Sequence, residues 1–408
     1  MATGKLLFLY TPLVQMGGGE RNFLQEVRQF RSHGVPSDAF TLKLGSDQTV
    51  RAAAASAGVQ AIASSDARSL SAITAVRRFI REHRPRLLIA HTSPPLAYLG
   101  TLGTSVPYVL YLNSPPFYYG YPQNKFIYSW RYSRLVKETL AAGGPRYADF
   151  LRDVSLGPVE RVEVEARAQL MSLAVRKARA IIVWSDRAAE EWRKVYGVDP
   201  VVLKGCIPDE LHNYVPRSNI RRLLGIREHA RIVLSVCRLD SIKRVDLVIR
   251  AFDLLKRNHP DAVLVIIGIG PDESRLRALA SELGTTDIIF AGYVPDQTLW
   301  DYYATGDVFV TPALADFNIA PYEALALGCR VAWSSEMDPD ESLRRSPAVV
   351  TAEPGHREFA NGIAEGFSRP APLPSEMTPY LLSTRYARLS SLFDSIAPPT
   401  ADAERVAS

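Results

Sequence analysis

Two basic side chains, Arg238 and Lys243, stand in the run Ser235-Val236-Cys237-Arg238-Leu239-Asp240-Ser241-Ile242-Lys243-Arg244, where an apolar stretch gives way to a helical pattern. A guanidinium grips phosphate oxygens bidentately, and an ammonium supplies a compact point charge. Together they can neutralise most of the charge on a diphosphate without a metal ion. Side chains that leave the C-terminal end of a strand also sit at the edge where open α/β sheets place their ligands. The plainer account of the pair is two solvated cations at a helix start, and spacing alone does not decide between them.

A second run, Thr311-Pro312-Ala313-Leu314-Ala315-Asp316-Phe317-Asn318-Ile319-Ala320-Pro321-Tyr322-Glu323-Ala324, reads as a strand end, a loop and a helix with Pro321 in its first turn. Backbone N–H groups near Ile319 and Ala320 would face a ligand at that helix start, and Glu323 could reach the hydroxyls of a ribose. A first-turn glutamate also complements the helix dipole with no ligand at all. The third run is Met16-Gly17-Gly18-Gly19-Glu20-Arg21, after the first apolar strand. Its glycines allow close backbone approach, and the N–H groups of the following helix favour negative charge. Its spacing is not the GxGxxG dinucleotide fingerprint, and a tight strand-to-helix turn accounts for it equally well.

The elements that must hold these runs alternate between apolar strands and helices, the rhythm of a parallel sheet covered on both faces. Strands are expected at 6–10, 39–44, 87–91, 108–112, 181–184 and 201–203, then at 232–236, 262–267, 287–291, 308–311 and 330–333. Helices are expected at 20–33, 70–83 and 161–177, then at 245–256, 272–283, 296–305 and 320–327. The rhythm breaks between 204 and 231, around Gly205, Pro208 and Pro216. The 408 residues therefore divide into an N-terminal Rossmann-like domain over 1–205, a second over 206–379, and a C-terminal helix with a frayed tail over 380–408.

A hydrophobic fraction of 47% and a charged fraction of 22% are those of a globular protein. No transmembrane run or signal-peptide pattern stands out, so a cytoplasmic protein is expected. Cys206, Cys237 and Cys329 offer neither a disulfide framework nor a metal pair. A net charge of +5 fits an anionic ligand or an anionic membrane surface. No compact Lys/Arg stripe is present for nucleic acid.

The three runs, in this order, resemble the family 4 glycosyltransferases, which have the GT-B fold of two Rossmann-like domains facing across a cleft. The family pattern is a GGAER-like loop, then G-R-L-x-x-x-K-x-x-D, then E-x-F-G-x-x-x-x-E-A. The connecting text Ile267-Gly268-Ile269-Gly270-Pro271 and Phe290-Ala291-Gly292-Tyr293-Val294 is similar as well. The resemblance implies a retaining enzyme that takes a sugar from a nucleotide-sugar donor and needs no metal or other cofactor. The acceptor would be a glycan, a lipid-linked saccharide or a small molecule. Arg238 and Lys243 would hold the diphosphate and stabilise the departing nucleotide, and Glu323 the ribose. Gly17 and Gly18 would border the donor, with Asn318, Ile319 and Ala320 at the distal phosphate and sugar.

The chain departs from that pattern in places. Ala315 stands where the family has a glutamate beside the transferred sugar, and Asn113 where many members have a histidine. Cys237 and Asn318 replace two customary glycines. The diphosphate grip survives while the sugar contacts change, which implies an unusual donor sugar; Asp316 and Ser114 are the nearest side chains able to take over for a common hexose. His91, at a strand end, is either a substrate contact or a structural imidazole. Over 117–145, aromatic residues such as Phe117, Tyr121 and Trp130 interleave with Lys125, Arg131 and Lys137, suiting a peripheral membrane contact, an acceptor pocket or an ordinary packed helix. Competing readings are an epimerase or phosphorylase on the same fold, and a catalytically silent subunit that binds a nucleotide or a partner.

Overall fold

The computed structural model describes residues 4–14, 16–62, 69–91, 93–112, 129, 157–313, 318–337 and 341–399. Two compact units divide the chain: Met1–Lys204 together with Arg385–Ser408, and Gly205–Thr384.

In the first unit, β1 (Leu6–Tyr10), β2 (Ser37–Thr41), β3 (Val59–Ala61), β4 (Leu87–His91), β5 (Tyr108–Tyr111), β6 (Ala180–Val183) and β7 (Val201–Val202) form one parallel sheet in the order β3-β2-β1-β4-β5-β6-β7. The apolar run of β1 explains its central place. Leu6 and Phe8 enter one core layer and Leu7 and Leu9 the opposite one, as the two-residue period of a strand requires. A strand buried on both faces reads as an unbroken apolar run, and that is what residues 6–9 are.

The second unit repeats the plan. Strands β8 (Ile232–Val236), β9 (Val263–Ile267), β10 (Ile288–Gly292), β11 (Val308–Thr311), β12 (Arg330–Ser334) and β13 (Val349–Ala352) lie parallel in the order β10-β9-β8-β11-β12-β13. In β8, Ile232 and Leu234 face one layer and Val233 the other. Strands β3 and β13 go beyond the sequence expectation. Both are short, and β3 exposes Gln60 and Ala61, so no apolar run marks it.

The last helix, Leu382–Ile396, is not an appendage. From Arg385 onward it belongs to the first unit, where Leu389, Phe393 and Ala397 enter the core layer that holds Phe8 and Phe30. The spacing of four between these residues puts them on one helix face. Phe393 stacks on Phe30 with ring centroids 5.5 Å apart. Among the described residues no helix is long and apolar enough to cross a membrane.

Candidate functional site

In the second sheet β8 lies between β9 and β11, and the strand order runs outward from it in opposite directions. The boundary between β8 and β11 is therefore the topological switch point, where the connections diverge and leave a crevice beyond the strand ends. The two strongest candidate runs follow these two strands: Arg238 and Lys243 after β8, and Asn318, Ile319, Ala320 and Glu323 after β11. The structure thus brings together, at one sheet edge, residues some eighty positions apart in the chain.

The segment carrying Arg238 is fixed by its backbone. The Cys237 N–H donates to the Ile267 carbonyl at 3.1 Å, the Leu239 N–H to the Ile269 carbonyl at 3.0 Å, and the Asp272 N–H to the Leu239 carbonyl at 3.0 Å. This lacing needs glycine opposite it. A Cβ on Gly268, whose φ is +132°, would come within 1.9 Å of the Cys237 carbonyl oxygen, and one on Gly270 within 2.2 Å of that of Leu239. The side chain of Arg238, held between two pinned neighbours, is 54% exposed. Its guanidinium bonds Asp240, a partner that the spacing of basic residues did not reveal. Lys243 ends a 3-10 turn, Ser241–Lys243, and makes no ion pair with a described residue. Arg244 then takes a left-handed conformation with φ of 51° and pairs with Glu336. Burial pushes the Cys237 thiol up to about 12, so it stays protonated and is no nucleophile.

On the β11 side, Ala315 and Asp316 fall outside the described residues, as does Asn113 in the first unit. The Asn318 amide N–H₂ lies 3.5 Å from Thr311 Oγ1, and its carbonyl accepts the Ala320 N–H at 3.3 Å. Asn318 thus reaches the strand end at Thr311 and occupies one of the three amides expected to face a ligand. The helix Ala320–Ala326 places Glu323 in its first turn, where the residue is buried to 7% exposure.

The first sheet has its own switch point, between β1 and β4. Gly17 and Gly18 follow β1, with Gly17 as the N-cap of the helix Gly18–Ser32, and His91 ends β4. A Cβ on Gly17 would meet Glu20 Oε2 at 2.8 Å, so this carboxylate lies over the helix start. Burial, reinforced by Glu20, pushes the Tyr10 hydroxyl well above its ordinary value. The His91 imidazole is 2% exposed, stacks on Tyr111 at 3.7 Å, and has Nε2 3.7 Å from Glu26 Oε2. Burial and the neighbouring Arg385 hold its pKa well below the usual imidazole range. It is a neutral interior side chain. Burial raises the Glu26 carboxyl, against the lowering pull of Arg385, whose Nε donates to Glu26 Oε1 at 2.8 Å. Among the described residues no group of three or more His, Cys, Asp or Glu side chains is placed to hold a metal ion.

Residues 17–204 match the family of glycosyl transferase 4-like domains, and residues 216–379 match the glycosyl transferases group 1. A glycosyltransferase from Rickettsia africae superposes with a TM-score of 0.70 at 13% identity, covering 97% of this chain and 99% of that one. Anabaena Alr3699/HepE, in its complex with UDP-glucose, superposes with a TM-score of 0.64 at 15% identity, covering 99% and 98%. A D-inositol 3-phosphate glycosyltransferase of Thermobispora bispora is 29% identical over 224 residues, which is 51% of each chain. An uncharacterised glycosyltransferase of Methanocaldococcus jannaschii is 33% identical over 140 residues, 33% of this chain and 36% of the relative. The chain spans between 36% and 51% of the length of these curated relatives.

Two Rossmann-like parallel-sheet units with these structural matches define the GT-B fold. Within it, the chain is related to the group 1 and 4-like families.

Proposed function

We propose that the protein transfers a sugar from a nucleotide-diphosphate donor to a saccharide, lipid-linked or small-molecule acceptor, with retention of anomeric configuration and without a metal ion. The observation that carries this is the pair Arg238 and Lys243 at the β8 edge of the second switch point, opposite the Ala320–Ala326 helix. The second unit would bind the donor and the first the acceptor.

In this account Arg238 and Lys243 face the diphosphate. As the bond from the anomeric carbon to the phosphate oxygen breaks, negative charge grows on the departing nucleotide. Fixed cations aimed at that charge stabilise the transition state more than the ground state. Glu323 would accept hydrogen bonds from the ribose, and Gly17, Gly18, Asn318, Ile319 and Ala320 would border the phosphates and the sugar. The UDP-glucose complex of Alr3699/HepE, a protein of the same fold, supports a nucleotide-sugar donor.

The residues that would meet the sugar carry a finer proposal. Ala315 and Asn113 lack the reach of the glutamate and histidine that the family 4 pattern has at these places, which suits a deoxy, amino or otherwise modified sugar. Free cysteines at 206, 237 and 329 fit a reducing cytoplasm, while the aromatic and basic stretch 117–145 lies outside the described residues except for Ser129. Thermal-shift titration with UDP, GDP and dTDP, followed by initial rates on their hexose and modified-sugar conjugates, tests the reading. No stabilisation by any of these nucleotides would overturn the donor site. A clear preference for UDP-glucose or GDP-mannose over every modified donor would overturn the sugar assignment.

A further inference from the structure

A groove of about 640 Å³ on one face of the Asp296–Thr305 helix takes no part in the chemistry above. Two aromatic side chains, Tyr214 and Trp300, line it together with Glu210, Asn213, Arg217 and Gln297. None of the switch-point residues does.

The groove is built, not an accident of an exposed loop. Asp301, next to Trp300 in the helix, is 2% exposed. Its Oδ1 accepts the Tyr214 hydroxyl at 2.9 Å and the Arg217 backbone N–H at 2.8 Å. The Tyr214 hydroxyl also lies 3.1 Å from the Gln297 carbonyl. A buried carboxylate thus pins the 214–217 segment to the helix, and burial with the Asp301 bond raises the Tyr214 pKa so that the hydroxyl remains a donor. The Tyr214 and Trp300 rings meet edge to face, 5.4 Å apart at 85°, which fixes the indole. The polar ends of the remaining lining side chains are unspent. The Glu210 carboxylate, the Asn213 and Gln297 amides, the Arg217 guanidinium and the Trp300 indole N–H make no hydrogen bond or ion pair with another described residue.

This combination narrows the ligand. One carboxylate and one guanidinium cancel, so the groove favours a neutral molecule over a phosphate or an anionic headgroup. A purely aliphatic ligand would strip water from the polar rim and give nothing back. A sugar meets both demands. Its C–H faces pack against an aromatic surface, and its hydroxyls both donate and accept, pairing with carboxylate, amide, guanidinium and indole N–H alike. We propose that this groove is a saccharide-binding subsite of the second unit, holding a sugar unit of a glycan away from the reacting sugar. The proposal rests on the transferase reading of the switch-point site.

The test uses the full chain and two readouts on the same samples. Saturation-transfer NMR and indole fluorescence are recorded with maltotetraose, cellotetraose, mannotetraose and chitotetraose as probes, and melting shifts with UDP and GDP. At least one tetrasaccharide is expected to bind with a Kd near ~1 mM and to weaken about tenfold or more in Trp300→Ala. Glu210→Ala, at an exposed position, serves as a second variant should Trp300→Ala fail to fold, and is expected to weaken the same probe. Nucleotide-induced melting shifts should be unchanged in both variants. No saturation transfer from any probe at about 10 mM, binding undiminished in both variants, or Trp300-dependent binding of decanoate in place of the sugars would overturn the subsite. Absence of nucleotide stabilisation in the wild-type chain would instead strike at the donor site, so the two failures are told apart.

Discussion

Arg238 and Asp240 are bonded through a single carboxylate oxygen: Nε and Nη2 lie 2.6 and 2.5 Å from Asp240 Oδ2. The guanidinium is half exposed, whereas the carboxylate is 14% exposed and set into the loop. A pair with one exposed partner adds little to stability. What it does supply is orientation, because two nitrogens on one oxygen fix the guanidinium plane and leave Nη1 without a described acceptor. Asp240 is thus a positioning residue for the cation proposed to meet the diphosphate.

Removing that cation tests the donor site directly. Arg238→Ala and Lys243→Ala are each expected to lower turnover by two to three orders of magnitude, since one lost transition-state contact costs about 2.7–4 kcal/mol. Asp240→Asn keeps an acceptor oxygen and should raise the donor KM several-fold with a smaller effect on kcat. Steady-state kinetics at saturating acceptor read all of these. Near wild-type turnover in either cation variant would move the donor site elsewhere.

Metal removal gives an independent check. If Arg238 and Lys243 carry the charge compensation, activity should survive chelator treatment and gain nothing from added magnesium or manganese. Full loss in chelator, restored by either ion, would show that the two side chains are insufficient.

The buried His91 predicts a pH dependence of stability. Its folded-state pKa lies well below 6.5, the ordinary imidazole value. The unfolded chain therefore binds a proton that the folded one refuses as pH falls below about 6.5. The stabilisation is present above that pH and is lost on the acid side, at up to about 1.4 kcal/mol per pH unit. Glu26, whose folded pKa is raised, acts with the opposite sign: its contribution is full below the unfolded carboxylate value and declines as pH rises. Urea unfolding of wild type and His91→Gln between pH 7.5 and 5.5 separates the two. The variant should lose part of the acid-side slope, and identical slopes would mean that His91 titrates normally.

The parts of this molecule legible in the sequence are those encoded locally. Strands β1, β4, β8 and β11 fall on predominantly apolar runs, and the switch-point residues follow directly from two of them. Asp240 sits within the Arg238 run but carries no signal of its own until its bond is seen. The pairing of Glu26 with Arg385 links positions 359 apart, and nothing in either segment announces the other. Arg385 precedes Leu389 and Phe393 at helical spacing and so looks like a charged residue at the edge of an apolar face. Only the return of the chain to the first unit shows that it is buried.

That return makes a stability prediction. Arg385 is 3% exposed; its Nε binds Glu26, and its Nη1 donates to the Leu203 and Lys204 carbonyls at 2.7 and 2.5 Å. The first unit's chain leaves at Lys204 and re-enters at Arg385, so one guanidinium ties the exit and entry points together. Arg385→Ala leaves the Glu26 carboxylate buried without its cation, which is expected to cost about 3–5 kcal/mol. Arg385→Met with Glu26→Leu replaces the pair by apolar side chains of similar volume and should recover much of that loss. Phe393→Ala, eight residues on and fully buried, removes a ring from the same core layer at a similar cost of about 3–5 kcal/mol. Chemical denaturation followed by tryptophan fluorescence measures all three, with Trp184 and Trp192 reporting on the first unit and Trp300 and Trp333 on the second. A drop confined to the first unit is the expected outcome. If Arg385→Ala unfolded at the wild-type denaturant midpoint, the guanidinium would not be what fastens the last helix.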